Sequence, residues 1–344
     1  MKVVFSATQK AHYPRTILSS GAPQPNPEAP ERAQRLLAAA LRCGLEHEAP
    51  PDAGIAPLAA VHTPEYLQFL RSIHARWQRI PEASEDVMPN VHPVRRGGTY
   101  PASAVGQVGW HVFDGAAPIS ADTWEAARTS AMCAVHAARE LLAGAGACYA
   151  LARPPGHHAG KDMAGGFCYL NNCAVGAQVL REAHARVAIL DIDVHHGNGT
   201  QDIFYDRPDV LTVSLHADPV RFYPFFWGHA GERGSGPGAG YNYNLPLPRG
   251  TGDDGYLEAL ERALARVEAY APGALVVALG LDAHVADPFQ GLAVTTEGYG
   301  RIAARIAALG LPTLLVQEGG YLSPELGDNL ESFLRAFTER HGAA

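Results

Sequence analysis

Residues 187–202 read VAILDIDVHHGNGTQD, and this stretch decides the fold. Val187, Ala188, Ile189 and Leu190 form a short, β-branched apolar run of the kind that makes a buried strand. The run then fills with ionisable groups: Asp191, Asp193, His195 and His196. Burying an unpaired charge is costly, so such groups pair, hydrogen-bond or bind a metal. Asp193 and His195 are two apart, and on an extended chain they face the same side. A carboxylate oxygen and an imidazole nitrogen on one face are good zinc ligands. The plain alternative is a strand end with a local salt bridge.

Working outward, strands and helices alternate. Strands are predicted at 148–152, 187–193, 210–215, 275–281 and 313–316. Helices are predicted at 123–142, 171–183, 256–269, 296–309 and 324–339. The helix at 123–142 takes Asp122 or Thr123 as its cap and ends at Gly144. Such alternation gives a parallel sheet with helices on both faces. Upstream, 2–6 reads as an edge or early strand, the Pro-rich 13–31 as an irregular surface segment, and 31–43 and 62–73 as helices. Prolines at 81, 89, 93, 101 and 118 exclude a long helix over 74–121. That segment also carries Arg95 and Arg96 as a small basic spot, with Tyr100, Trp110 and Phe113. A connection this long points to an interface or an active-site rim. The run GHAGERGSGPGAG at 228–240 lacks the lysine of a phosphate loop and reads as a turned connection. No internal repeat appears, and the 344 residues read as one domain.

Composition narrows the function. A hydrophobic content of 47% supplies a large core, and a net charge of -8 argues against nucleic-acid or anionic-membrane binding. No apolar run approaches the length of a spanning helix, and the N-terminal MKVVFSATQ is too short in apolar length for a signal peptide. The five cysteines are odd in number and form no CxxC pair, which fits a reduced, cytoplasmic protein. Cys168 lies nearest the chemistry, and packing explains it better than a nucleophilic role.

In a parallel sheet, ligands bind at the carboxyl ends of the strands. Four strand ends carry the polar groups here: RPPGHHAG with His157 and His158, the Asp191–Asp193–His195 run, DAH with Asp282, and QEGGY with Tyr321. Asp193, His195 and Asp282 supply three ligands and leave one zinc position open, as a catalytic site requires. Of the tandem histidines, one can act as general base and then acid while the other stays charged. Tyr321, placed by two glycines, can donate its hydroxyl to an oxyanion. Taken singly, a cap, a core histidine or an ordinary Gly-Gly-Tyr turn would explain each.

At RPPGHHA, GGFCYLNN, DIDVHHGNGTQD, SLHADP, GLDAH and EGGY the sequence resembles the arginase–deacetylase superfamily, specifically the histone-deacetylase-like amidohydrolases. The likeness runs from Phe5 to about Leu334. Within that family it looks most like the bacterial acetylpolyamine amidohydrolases, through its length, the PEAPERA segment and the HPVRR insertion. The resemblance implies an α/β single-domain arginase–deacetylase fold over 1–344, with a central parallel sheet of about eight strands. It implies that the 74–121 insertion helps form a homodimer and narrows the site's mouth. It implies zinc, or ferrous iron in the cell, on Asp193, His195 and Asp282, with His158 as general base and acid. His157 is then its electrostatic partner, hydrogen-bonded to Asp191, and Tyr321 acts on the substrate carbonyl. Asn198 faces His158 where several histone deacetylases have Asp; a neutral partner raises the imidazole pKa less, which suits a base. Potassium is implied at Asp191, Asp193, His195, Ser214 and Leu215, and a second monovalent ion at Phe204, Arg207, Val210 and Tyr241. Phe167, Tyr223 and Phe289 line an alkyl tunnel, with Gly166 and Gly320 beside them.

The implied reaction is zinc-dependent removal of acetyl groups from small acetylated amines, such as N-acetylputrescine or N-acetylcadaverine. Acids thought to recognise a polyamine's cations in that family fall at Ile17, Val105 and Ala116, all apolar; Glu28 and Asp114 are the acids that could compensate. The competing readings are an acetyl-lysine deacetylase, another short-amide hydrolase, a non-catalytic binding protein and a two-manganese arginase-type hydrolase. The last lacks a further carboxylate after Asp193.

Overall fold

The structure, a computed structural model, describes residues 1–94 and 97–342. Arg95 and Arg96, the basic spot of the insertion, lie outside the described residues. The central sheet has eight strands, all paired in parallel. In chain order they are β1 (Lys2–Val4), then, after a hairpin of β2 (Thr16–Ser19) and β3 (Ala22–Pro25), β4 (Glu46–Glu48), β5 (Ala147–Ala150), β6 (Val187–Asp191), β7 (Val210–Ala217), β8 (Asn242–Leu247), β9 (Ala274–Leu279) and β10 (Thr313–Gln317). Their order across the sheet is β4-β1-β5-β10-β9-β6-β7-β8.

Parallel neighbours need crossovers, and helices supply them on both faces. α1 (Pro30–Arg42), α8 (Asp253–Tyr270), α9 (Thr296–Ala307) and α10 (Leu326–His341) cover one face. α3 (Pro64–Trp77), α5 (Thr123–Leu142) and α6 (Asn172–Leu180) cover the other. Between them in the chain lie α2 (Ala56–Ala59), α4 (Ala104–His111) and α7 (Asn198–Phe204). Strand β6 shows why its apolar run is continuous. Ala188 and Leu190 face the first helix layer, Val187 and Ile189 the second, and both layers exclude water.

Several expectations are corrected. β1 is early but not an edge, because β4 lies outside it; the polar triplet Glu46-His47-Glu48 carries no strand signal. The other edge, β8, also goes unread, hidden behind the glycine-rich run that leads into it. The Pro-rich segment is not wholly irregular: Thr16–Ser19 and Ala22–Pro25 pair in a hairpin turning at Ser20 and Gly21, both at positive φ. Neither proposed cap of α5 has the expected form. Asp122 makes no capping bond, and the Thr123 hydroxyl accepts the N–H of Ser120 instead. Within 74–121 the prolines do exclude a long helix, and the eight-residue α4 forms after the fourth of them, Pro101.

Candidate active site

In the sheet order, β5, β10, β9 and β6 are consecutive. Their carboxyl ends therefore stand side by side, and that adjacency brings the four sequence clusters together.

β6 stops at Asp191, two residues short of the expected boundary. Beyond it the chain turns: the Asp193 N–H donates to Asp191 Oδ1 at 3.1 Å, and the His195 N–H to Asp193 Oδ1 at 2.8 Å. Asp193 and His195 thus converge through carboxylate-capped turns, not through strand alternation. Asp282, just past β9, takes the Val194 N–H on one oxygen at 3.0 Å, and its other oxygen lies 3.2 Å from His195 Nδ1. The same nitrogen is 3.2 Å from Asp193 Oδ1. One ligand atom from each of the three buried residues lies within 4.8 Å of the others. The loop after β10 closes over them, with the Gly319 N–H on Asp193 Oδ2 at 2.7 Å. A β-carbon at Gly319 would stand 2.1 Å from Asp282 Oδ2, so this approach requires glycine.

Two carboxylates meet here with little water to spread their charge. Burial, then the charge of Asp193, push the Asp282 carboxyl upward. Burial opposes ionisation of Asp193 too, but His157 and His195 outweigh it and hold Asp193 below the ordinary range. Two oxygens and one nitrogen with a net negative charge fit a divalent cation with a fourth position open. A second grouping, Glu48, His136 and Glu140, differs: the Lys2 ammonium is 2.8 Å from both carboxylates and already supplies the cation.

The tandem histidines follow β5. His157 Nδ1 donates to Asp191 Oδ2 at 2.9 Å. Burial resists its charge, but the carboxylates of Asp193 and Asp191 push it up to about 10. His158 Nδ1 meets Asn198 Oδ1 at 2.7 Å, at the start of α7. Burial, reinforced by the charges of His157 and His195, drives His158 well below its usual value. With an amide oxygen accepting at Nδ1, the lone pair of His158 is left at Nε2. The two ring centroids sit 4.1 Å apart.

Above them opens a cavity of about 660 Å³, which His158, His195 and Tyr321 line together with Gly166, Phe167, Tyr223 and Phe289. Tyr321 packs between Phe289 and Phe167, with ring centroids at 4.8 and 5.8 Å. Gly320, beside it, does not line the cavity; its carbonyl accepts from Arg32. Gly166 and Phe167 both have positive φ. A β-carbon at Gly166 would reach 2.4 Å from the His158 ring, so glycine is needed there. The insertion supplies Phe113, Asp114, Gly115 and Ala116 to the cavity wall, and the hairpin supplies Ile17. Val105 lies on α4 instead, partly buried against the helix layer. Glu28 does not reach the cavity: it is fully buried, paired to Arg32 at 2.6 Å and Arg153 at 2.9 Å. Cys168 is also fully buried, and burial raises its thiol well above the normal range, as a packing residue requires.

Next to Asp191 and Ser214 lies a small void of about 10 Å³, room for one water-sized occupant. Leu215 does not line it. Phe204 and Tyr241 each offer a carbonyl that already accepts one backbone N–H, from Arg207 and Thr212 respectively. Val210 begins β7, and the Arg207 side chain pairs with Asp209 at 2.7 Å.

The histone deacetylase domain matches residues 26–337. The chain belongs to the histone deacetylase domain family. It is on that account a hydrolase acting on amide bonds. It is 48% identical over 343 residues to the acetylpolyamine amidohydrolase of Burkholderia pseudomallei, covering 99% of this chain and 100% of that one. Acetylpolyamine amidohydrolase 1 of Pseudomonas aeruginosa is 44% identical, with 98% and 99% covered. The crystal structure of the acetylpolyamine aminohydrolase from Burkholderia pseudomallei superposes with a TM-score of 0.97 at 48% identity, covering 99% of each chain. The arginase–deacetylase fold expected from the motifs is thereby the fold of this family member.

Four site residues escape the sequence reading. Glu318 accepts the N–H groups of Gly156 and His157 at 2.7 and 3.0 Å, and so holds the turn that presents both histidines. Its signal is a carboxylate directly after the wholly buried β10. Asp287 takes the Tyr321 N–H at 3.1 Å. Arg32 lies under the Tyr321 ring, 4.9 Å from its centroid, and donates to the Glu318 carbonyl at 2.8 Å. Phe222 stacks on His195 at 5.0 Å. Arg32 lies 286 positions from Glu318, and no local pattern announces that contact.

Proposed function

We propose that this family member is a zinc-dependent deacetylase of small acetylated amines, releasing acetate and the free amine. Acetylpolyamines such as N-acetylputrescine and N-acetylcadaverine belong to its substrate class. The observation that carries this is the buried trio Asp193, His195 and Asp282 beneath the cavity that His158 and Tyr321 also line. The names of its relatives point to the same substrate class.

Asp193, His195 and Asp282 would hold the ion, and zinc bound there would supply a Lewis acid toward the amide carbonyl and its attacking water. His158, neutral, takes the proton of the attacking water and passes one to the leaving amine. Asn198 orients it through Nδ1 at 2.7 Å. His157, charged against Asp191, stabilises negative charge as it develops beside the pair. The Tyr321 hydroxyl donates to the oxyanion, and the Phe167 and Phe289 rings fix its direction. We assign potassium to the neighbourhood of Asp191 and Ser214, supported by the void there, with Asp193, His195 and Leu215 as further donors. The second monovalent site would use Phe204, Arg207, Val210 and Tyr241. A homodimer would form through the 74–121 insertion, and the unpaired thiols fit a cytoplasmic location.

The test is hydrolysis of N-acetylcadaverine by enzyme stripped of metal and then reloaded with zinc, read as acetate released. Activity that disappears and returns supports the reading. Full activity without metal, or no hydrolysis of any acetylated amine after loading, removes it.

A further inference from the structure

We infer that the mouth of the cavity does not read a positive charge at the far end of the substrate: an uncharged or aromatic acetamide enters as well as an acetylated diamine of the same length. This rests on the deacetylase reading above and deepens it.

Three observations carry the inference. First, the wall beyond the metal cluster is apolar. Ile17, Phe167 and Tyr321 form one cluster, with Ala116 and Phe289 packed on it. An alkyl chain gains there what apolar burial gives it, whatever its terminus.

Second, the only carboxylate among the described residues lining the cavity is Asp114, and it is already engaged. Asp114 Oδ2 accepts the Tyr223 hydroxyl at 2.6 Å and the Gly166 N–H at 3.1 Å; Oδ1 accepts the Ala116 N–H at 2.9 Å. These bonds tie the insertion to Tyr223 on one side and to the Gly166–Phe167 turn on the other. Asp114 is thus a positioning residue that sets the width of the passage. Burial raises its carboxyl, against the pull of the Tyr223 hydroxyl.

Third, the charged group that does face the mouth is a cation. Arg221 lines the same cavity, is exposed, and has no ion-pair partner among the described residues. Beside it stand Phe225, Phe226 and Trp227, exposed by 50%, 75% and 41%. The Phe226 and Trp227 rings touch at 5.7 Å, and Phe113 meets Trp227 at 6.3 Å. An aromatic collar with a guanidinium favours flat, uncharged or electron-rich tails. A distal ammonium would gain cation–π attraction from the rings but meet repulsion from Arg221.

The experiment compares kcat/KM for three acetamides on the zinc-loaded enzyme. These are N-acetyl-1,5-diaminopentane, N-hexylacetamide, which replaces the ammonium with a methyl group, and N-(4-phenylbutyl)acetamide. We expect the hexyl and phenylbutyl amides to equal or exceed the diamine. A preference for the diamine above threefold overturns the inference and leaves the deacetylase reading standing. No turnover of any of the three sinks both. Two variants sharpen the result. Ile17→Glu places a carboxylate in the apolar wall and should raise the diamine-to-hexyl ratio at least tenfold. Asp114→Asn should lower activity on the diamine and the hexyl amide by the same factor. A loss confined to the diamine would make Asp114 the cation's receptor and refute the inference.

Discussion

At the scale of the residue, the division of labour proposed for the two adjacent histidines rests on their surroundings, carboxylates about His157 and burial with neighbouring imidazole charge about His158. His157 faces a carboxylate and His158 an amide, and the two imidazoles move in opposite directions from one ordinary value. Replacing Asn198 with Asp puts a negative charge 2.7 Å from His158 Nδ1. An opposite charge stabilises the protonated ring, so the pKa rises and the acid limb of the kcat/KM profile moves to higher pH, by about one to two units. A pH–rate profile of the Asn198→Asp enzyme that superposes on the wild type would rule out this role. Tyr321 makes a different claim. Its hydroxyl is needed only as charge develops on the substrate oxygen, so Tyr321→Phe should cut kcat about 10²–10³-fold with KM little changed. Steady-state kinetics on N-acetylcadaverine decide this, and a rise in KM alone would reassign Tyr321 to substrate binding.

At the scale of the element, the site is made of strand ends and the short loops after them. The strands β5, β10, β9 and β6 are rigid because helices bury both faces, so each loop starts from a fixed point. The loops then fasten to each other: Gly319 to Asp193, Glu318 to the His157 turn, Val194 to Asp282. Glycine is what lets the β10 loop approach. Gly319→Ala would drive a methyl group into Asp282 Oδ2, and the loop or the carboxylate must move. We expect a folded protein with weakened zinc affinity, by about tenfold or more, since misplaced ligands lose geometry before they lose chemistry. A competition titration with a zinc chelator measures this, and an unchanged affinity would show that the loop relaxes without disturbing the cluster. The elements also mark where sequence patterns work. Periodicity finds the buried strands and the amphipathic helices. It misses β4 and β8, the two edges, because an edge strand of polar or mixed residues has no repeating face to show.

At the scale of the whole molecule, the trio Asp193, His195 and Asp282 joins the ends of two strands, β6 and β9, and the loop after β10 fastens onto it through the Gly319 N–H. Without a cation, the carboxylates of Asp193 and Asp282 repel each other inside the core. Zinc that binds the native state and not the unfolded chain must therefore stabilise the fold, by about 4 kcal/mol at a thousandfold excess over its Kd. Thermal unfolding of the chelator-treated protein should begin several degrees lower and recover when zinc is restored. Identical melting curves would mean that the trio holds no ion.

Taken alone, the sequence determined the fold class, the four strand ends that carry the chemistry and the identity of the chemical groups on them. It could do so because buried strands and functional turns write themselves in short, local patterns. The tertiary structure decided the rest. It set which strand ends are neighbours, that Asp193 and His195 converge through turns, and that Glu28 is locked to two arginines while Asp114 spans the cavity wall. It also brought Arg32, Glu318 and Asp287 to the site from distant positions. These are contacts between segments far apart in the chain, and they exist only once burial has chosen which surfaces meet; no residue carries a local mark of the partner it will find across the core.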